Sequence, residues 1–303
     1  MKNNKIFRDL LVETLEESNF VLTGIPFDEN ASVGKGASKC PDTFRELTGE
    51  VPPYTKDGED ITGARIFDNG NIVKKQGEDC ESYFARIQKE CLKMLETGKF
   101  NFFLGGDHSV AIPTERAFFE YCKKVNKIPA IIHIDAHPDI CDFYDGSKYS
   151  HACPIKRAID YGYKTSDIVL IGMRGYEGQE VVYFKQHPEI KVFNSSFINE
   201  NGVEDVIKYL NEKYDDRYLV YLSYDIDAND PAYAPGTGTP EAFGLDSKDV
   251  LKIILSILKN QPVGAMDMVE ISPTLDINDV TTWLGIKTLY EQLKVLLDKG
   301  VLK

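Results

Sequence analysis

Apolar and polar positions along the chain follow two rhythms. Short apolar runs, many rich in β-branched and aromatic residues, lie at 20–26 (FVLTGIP), 64–70 (ARIFDNG), 100–106 (FNFFLGG) and 129–137 (PAIIHIDAH). Others lie at 167–174 (DIVLIGMR), 190–194 (IKVFN), 218–227 (YLVYLSYDID) and 264–272 (GAMDMVEIS). Several are apolar at consecutive positions, the pattern of a strand buried on both faces of a parallel sheet. Between them the spacing changes to three and four. Phe84, Ile87, Cys91 and Leu95 predict one helix, with Gly98 placed to end it. Val250, Ile253, Ile254 and Ile257 predict another behind a capping Asp246, and residues 279–298 predict a third. Strands alternating with helices predict an α/β fold: a three-layer sandwich whose central sheet, mostly parallel, is flanked by helices on both faces. No Gly/Ser/Pro tract, repeat or low-complexity stretch interrupts the pattern, so residues 1–303 read as a single domain.

In such a sheet, ligands bind beyond the carboxyl ends of the strands. Residues that are costly to bury collect there: Gly105-Gly106-Asp107-His108, Asp135 to Asp139, Asp225-Ile226-Asp227, and Glu270. Alternate residues of a strand share a face, so Asp135 and His137 are expected to converge, with Asp139 reaching back from the loop beyond Pro138. Asp225 and Asp227 repeat that spacing. Unpaired, these carboxylates would repel one another or take up protons, a cost that divalent cations would remove. A set of two His and four Asp mixes hard oxygen with imidazole. It suits Mn²⁺, with Fe²⁺, Co²⁺, Ni²⁺ or Zn²⁺ as alternatives, and no thiolate pattern points to structural zinc. Four aspartates balance the charge of two such ions and leave a neutral cage for a bridging hydroxide. A lone D-x-D is ordinarily a turn or a cap, and a lone GGDH a tight turn. The three segments together, one of them the rarer D-A-H-x-D, favour the metal reading.

Composition narrows the partners. The chain is 42% hydrophobic and 27% charged, with a net charge of −13, which argues against a nucleic acid or an anionic membrane. The first twenty residues lack the apolar core and cleavage site of a secretory signal, and no apolar run approaches the ~18 residues of a membrane span. The six cysteines are scattered without a C-x-x-C pair and read as reduced thiols, so a cytoplasmic location is expected. Other candidates read as structural. His133 is an outer neighbour of the metal ligands or a satisfied core histidine, His187 an exposed loop residue, and Asp107 a loop-orienting carboxylate. Cys141 and Cys153 are incidental thiols, and Trp283 with the tail's apolar stripe is core or subunit contact.

GGDHS (105–109), DAHPD (135–139) and SYDIDANDPAYAPGTGTPEAFG (223–244) resemble the three signature blocks of the ureohydrolase family, the arginases and agmatinases. GIPFDENASVGKGASKCPDTFRE (24–46), SHACP (150–154) and MDMVEISPTLD (266–276) extend the resemblance over nearly the whole chain. It implies an arginase-like fold, two metal ions per chain, and a homotrimer or homohexamer. Asp135 and Asp225 would bridge the ions. His108 and Asp139 would complete one shell, and His137 and Asp227 the other. A hydroxide shared by the ions would attack the guanidinium carbon, with Asp139 accepting its hydrogen bond. Glu270 would hold the guanidinium by a charge-assisted pair, and His151 would pass a proton to the departing amine. The chemistry agrees: a guanidinium is a resonance-stabilised, poor electrophile, and it needs a strong nucleophile at neutral pH.

The segment ICDFYDGSKYS (140–150) lacks the Ser- and Asn-rich arrangement with which arginases hold an amino-acid head. It offers Asp142 and Asp145, near Tyr144 and Tyr149. Acids there favour a substrate with a far-end amine: agmatine, giving putrescine and urea. Arginine, guanidinobutyrate and guanidinopropionate are the alternatives. Pro138, Ala152 and Phe243 depart from the family's usual residues, the last standing where a glycine is expected. Phe243 and Tyr176 are placed to reshape the substrate pocket. A one-zinc deacetylase would need only an Asp-His-Asp set, and a binuclear phosphatase would want G-N-H and G-H-x-H segments. A metal-binding regulatory protein without catalysis would have no use for both His151 and Glu270.

Overall fold

The computed structural model describes residues 6–303; residues 1–5, part of the N-terminal stretch read above for a signal, lie outside the described residues. All eight expected strands form: β1 (Phe20–Gly24), β2 (Ile66–Asn71), β3 (Phe100–Leu104), β4 (Ile128–Ile134), β5 (Ile168–Met173), β6 (Lys191–Asn194), β7 (Tyr218–Tyr224) and β8 (Val263–Met268). They make one sheet in the order β2-β1-β3-β8-β7-β4-β5-β6. Every neighbouring pair is parallel, so the sheet expected to be mostly parallel is wholly so.

The helices lie between the strands in sequence: α1 (Cys40–Thr48), α2 (Cys80–Leu95), α3 (Ala111–Lys124), α4 (Pro154–Tyr161), α5 (Gly178–Gln186), α6 (Ser195–Asn201), α7 (Glu204–Lys213), α8 (Ser247–Asn260) and α9 (Val280–Asp298). The three helices expected from periodicity are α2, α8 and α9. Asp246 caps α8 by accepting from the Lys248 amide, and Gly98, at φ 72°, turns the chain out of α2. Asp79 caps α2 in the same way, accepting from Ser82. Among the described residues no helix is long and apolar enough to cross a membrane.

Successive strand residues feed two cores. Phe102, Leu104, Ile132 and Ile134 pack with α8 and α9, while Phe103 and Ile131 pack with α2 and α3. This two-sided burial explains the consecutive apolar positions. Trp283 packs half-buried against the first core.

The motif strands end earlier than expected, and the difference is informative. β4 stops at Ile134, and Asp135 Oδ1 accepts a hydrogen bond from the His137 amide at 2.6 Å. β7 stops at Tyr224, and Asp225 Oδ1 accepts from the Asp227 amide at 2.8 Å. Each first aspartate therefore folds the chain into a turn. Asp135 and His137, like Asp225 and Asp227, converge through that turn rather than through the strand pleat.

Candidate metal centre

The four strands that carry the polar motifs are neighbours in the middle of the sheet, β3-β8-β7-β4. Their carboxyl ends deliver the side chains to one place. His108 Nδ1 lies 2.9 Å from Asp135 Oδ2, 3.1 Å from Asp139 Oδ2 and 3.0 Å from Asp225 Oδ2. His137 Nδ1 lies 3.1 Å from Asp227 Oδ2 and 3.5 Å from Asp135 Oδ1. The six residues expected as ligands thus form two adjoining clusters, and the two oxygens of Asp135 serve one each. All are buried except His137, which is partly exposed.

These groups fit divalent cations. Burial, then the charges of Asp227 and Asp135, pushes the Asp225 carboxyl well above its ordinary range. Asp227 is raised for the same first reason. Buried His108 Nδ1 and Asp135 Oδ2, though close to their neighbours, make no hydrogen bond of acceptable geometry. Buried polar atoms left this way are costly, and a cation would satisfy them. The other nitrogen of His108 is already committed. Nε2 lies 3.0 Å from Ser223 Oγ, which donates to Asp267 Oδ1 at 2.9 Å. Asp267 also accepts from the Tyr221 hydroxyl and the Tyr224 amide. This buried chain places the proton of His108 on Nε2 and leaves the Nδ1 lone pair for an ion. Sequence reasoning assigned no role to Ser223 or Asp267. The available signal was an aspartate in mid-strand within an apolar run.

His133 stands closer to the chemistry than a core histidine need be. Its ring stacks on His108 at 4.8 Å, and its Nε2 is 3.0 Å from Asp135 Oδ2 and 3.2 Å from the His137 carbonyl. That geometry fits the reading of His133 as an outer neighbour that orients Asp135. Its ligand atoms also group with those of His108, Asp135 and Asp139 within 4.8 Å, so it belongs to the cluster that could hold an ion. Asp107 accepts from the amides of Ser109 and Asn30 and orients its loop.

Beside the clusters, Glu270 Oε1 accepts from the His108 amide at 2.8 Å and lies 3.1 Å from His151 Nδ1. His151 Nε2 lies 2.9 Å from Ser32 Oγ. Burial opposes a charge on His151, but the hydrogen bond and charge of Glu270 outweigh it and raise its pKa to about 9. Glu270 thus favours the charged ring, while the Ser32 amide, which donates to Nε2 at 3.2 Å, favours the neutral one. Asp139 and Glu270 hold φ at 51° and 62°, a left-handed conformation costing ~1–3 kcal/mol that neighbouring contacts must enforce. The Glu270 amide donates to the Gly106 carbonyl, and a Cβ on Gly106 would lie 1.8 Å from the Phe27 carbonyl oxygen. Glycine is required for that approach.

A cleft of about 580 Å³ opens onto His108, His137, Asp139, His151, Asp225 and Glu270. Towards its mouth it is lined by Asp145, Glu177 and Glu241, with Glu180 buried behind, and among the described residues no lysine or arginine lines it. Asp145, one of the two acids expected near the substrate, is in this lining. Asp142 is not: its carboxylate turns away to pair with Arg157 and Lys156, and it does not line the cleft. The expectation that Asp142 faces the substrate is corrected on that ground. Tyr144 and Tyr176 line the cleft, whereas Phe243, 84% exposed, does not. Glu177 and Glu241 were missed because their loops reach the cleft only through the fold.

Residues 18–294 match the model of the Arginase family. The chain belongs to the arginase family. An agmatinase of Neisseria meningitidis serogroup A is 32% identical over 91% of this chain and 86% of its own length. A guanidinobutyrase of Pseudomonas aeruginosa is 31% identical over 93% and 88%. The crystal structure of agmatine ureohydrolase of Thermoplasma volcanium superposes with a TM-score of 0.84 at 30% identity, covering 97% of this chain and 96% of that one. The central sheet is accordingly the arginase fold, and the chain is a metal-dependent enzyme of the ureohydrolase kind.

Proposed function

We propose that this arginase-family chain, acting as one catalytic domain, hydrolyses agmatine to putrescine and urea with two Mn²⁺ ions bound. The observation that carries the substrate is the cleft mouth, which Asp145, Glu177 and Glu241 line and, among the described residues, no lysine or arginine lines. A far-end ammonium finds partners there. A far-end carboxylate, as in guanidinobutyrate, would be repelled and desolvated without compensation. That weighs for the agmatinase-like reading, although a guanidinobutyrase is among the relatives.

His108 and Asp139 would hold one ion and His137 and Asp227 the other, with Asp135 and Asp225 shared. When bound, the ions supply a nucleophile at neutral pH by lowering the pKa of coordinated water. The chain's own groups do the rest. Asp139 lines the cleft and would accept a hydrogen bond from the nucleophile, fixing its direction. Glu270 would hold the guanidinium flat by a charge-assisted pair, presenting its carbon at a fixed angle. His151, held between Glu270 and Ser32, would pass a proton to the departing amine, which leaves well only when protonated. The enzyme would act in the cytoplasm as a homotrimer or homohexamer, on a small guanidino substrate, with neither nucleic acid nor membrane as partner.

Urea release from agmatine, arginine, guanidinobutyrate and guanidinopropionate by Mn²⁺-loaded protein tests this reading. Agmatine is expected to give the highest kcat/KM. A higher value for any of the acids would overturn the substrate assignment.

A further inference from the structure

Arg174 lies just past the end of β5, at the edge of the cluster of His137 and Asp227, and has no role in the mechanism above. Among the described residues no carboxylate pairs with its guanidinium. Its nitrogens go to backbone carbonyls instead. Nη2 donates to Asp227 at 2.6 Å, Glu241 at 2.9 Å and Asn229 at 3.2 Å. Nη1 donates to Gly172 and Ala228 at 3.2 and 3.3 Å, and Nε to Glu241 and Ala242, each at 3.2 Å. The amides of Arg174 and Gly175 both donate to the Ala136 carbonyl, at 2.8 and 3.0 Å. One residue thus ties together the turn that carries Asp227, the loop that carries Glu241, and the turn leading to His137.

The neighbouring residue reinforces the same corner. A Cβ on Gly175 would lie 2.6 Å from His137 Cδ2 and 3.1 Å from Glu241 Oε1. The backbone at Gly175 therefore walls the His137 ring directly. His108 and Asp139, which belong to the other cluster, receive no hydrogen bond from Arg174. A planar guanidinium with five donors can serve several carbonyls at fixed angles, which a lysine ammonium cannot.

We infer that Arg174 is a positioning residue for one of the two ion sites, the one formed by His137 and Asp227, and acts on turnover only through it. The inference rests on the two-ion reading proposed above. It predicts an asymmetric defect. In Arg174→Lys the tighter clamp is lost, and one Mn²⁺ should bind on the order of 10- to 100-fold more weakly while the other is unchanged. Raising Mn²⁺ should restore kcat towards the parent value, with KM for agmatine little altered.

The test is Mn²⁺ titration of metal-free parent and Arg174→Lys by calorimetry, with electron paramagnetic resonance to separate paired from isolated ions. Thermal unfolding of the metal-free forms controls for folding, and Arg174→Gln provides a second variant with fewer donors. The expected result is two ions in the parent and, at limiting Mn²⁺, isolated ions in both variants. Equal weakening of both ions, or two ions at parent affinity in both folded variants, would overturn the inference. So would failure of both variants to fold, since Arg174 would then serve the whole molecule. The parent's own stoichiometry reports on the two-ion reading. A parent with a single ion removes that reading and this inference together, whereas a two-ion parent with two-ion variants removes the inference alone.

Discussion

The cleft has two acidic regions that differ in burial, in crowding and in the elements that carry them. At its floor, Asp135, Asp139, Asp225 and Asp227 are buried, fixed at or next to strand ends and in contact with imidazoles. At its mouth, Asp145 and Glu177 are exposed and Glu241 is half-buried, its Oε1 3.7 Å from His137 Nε2; all three come from loops. Carboxylates at the floor are crowded beyond what neutral water would tolerate, which suits divalent ions held before any substrate arrives. Those at the mouth are not crowded in this way, which suits a single mobile cation that comes and goes. On the proposed function the same residue types do different work: the floor would supply chemistry, and the mouth selection.

The largest effect should come from breaking the floor. Asp225→Ala should lose most bound metal and lower kcat by on the order of 10³-fold or more, because the proposed site has that carboxylate shared by both ions. Metal analysis and urea release check this together, and an unchanged two-ion content would contradict it. His151→Ala should keep its metal but lose roughly 10²-fold in kcat. The parent's pH profile sharpens that point. Glu270 pushes the pKa of His151 up to about 9 against its burial, so an acid there would be present below that pH and lost as pH rises through it. The parent's kcat should fall on the alkaline side near pH 9, and His151→Ala should lack that limb.

Breaking the mouth should be milder and selective. Glu177→Gln combined with Glu241→Gln should lower kcat/KM for agmatine by ~10- to 100-fold while the enzyme keeps two ions, as expected for lost charge complementarity at one end of a substrate. An equal loss for guanidinobutyrate would show that the two glutamates act on the site as a whole. The smallest effect belongs to Asp142→Asn. That carboxylate is spent on Arg157 and Lys156 at the surface, so the change should leave kcat/KM within about twofold and cost less than ~1 kcal/mol of stability. A large loss of agmatine turnover would return Asp142 to the substrate site.

The floor was legible in the sequence and the mouth was not, for the same physical reason. Parallel strands buried on both faces leave long apolar runs, so the eight strands could be read from runs such as PAIIHI and YLVYLSY. The polar residues that interrupt those runs mark strand ends, and the fold gathers strand ends. The convergence of Asp135 with His137 was expected from strand pleating, whereas an aspartate-capped turn produces it; a spacing of two allows either. Loop residues carry no such register. Asp142 and Asp145 are three residues apart, yet one faces Arg157 and the other the cleft, a choice made by a helix that follows later in the chain. Glu177 and Glu241 reach one cleft, and Arg174 reaches the Glu241 loop, only because β7, β4 and β5 lie side by side, which no local pattern announces.

The account's central claim is that the far-end ammonium is recognised by the mouth independently of the chemistry at the floor. Butylguanidine is agmatine without that ammonium and isolates the difference. Its kcat/KM with Mn²⁺-loaded protein should fall below that of agmatine by roughly 10²-fold, and the gap should narrow in the Glu177→Gln, Glu241→Gln double variant. Equal kcat/KM for the two compounds in the parent would contradict the claim.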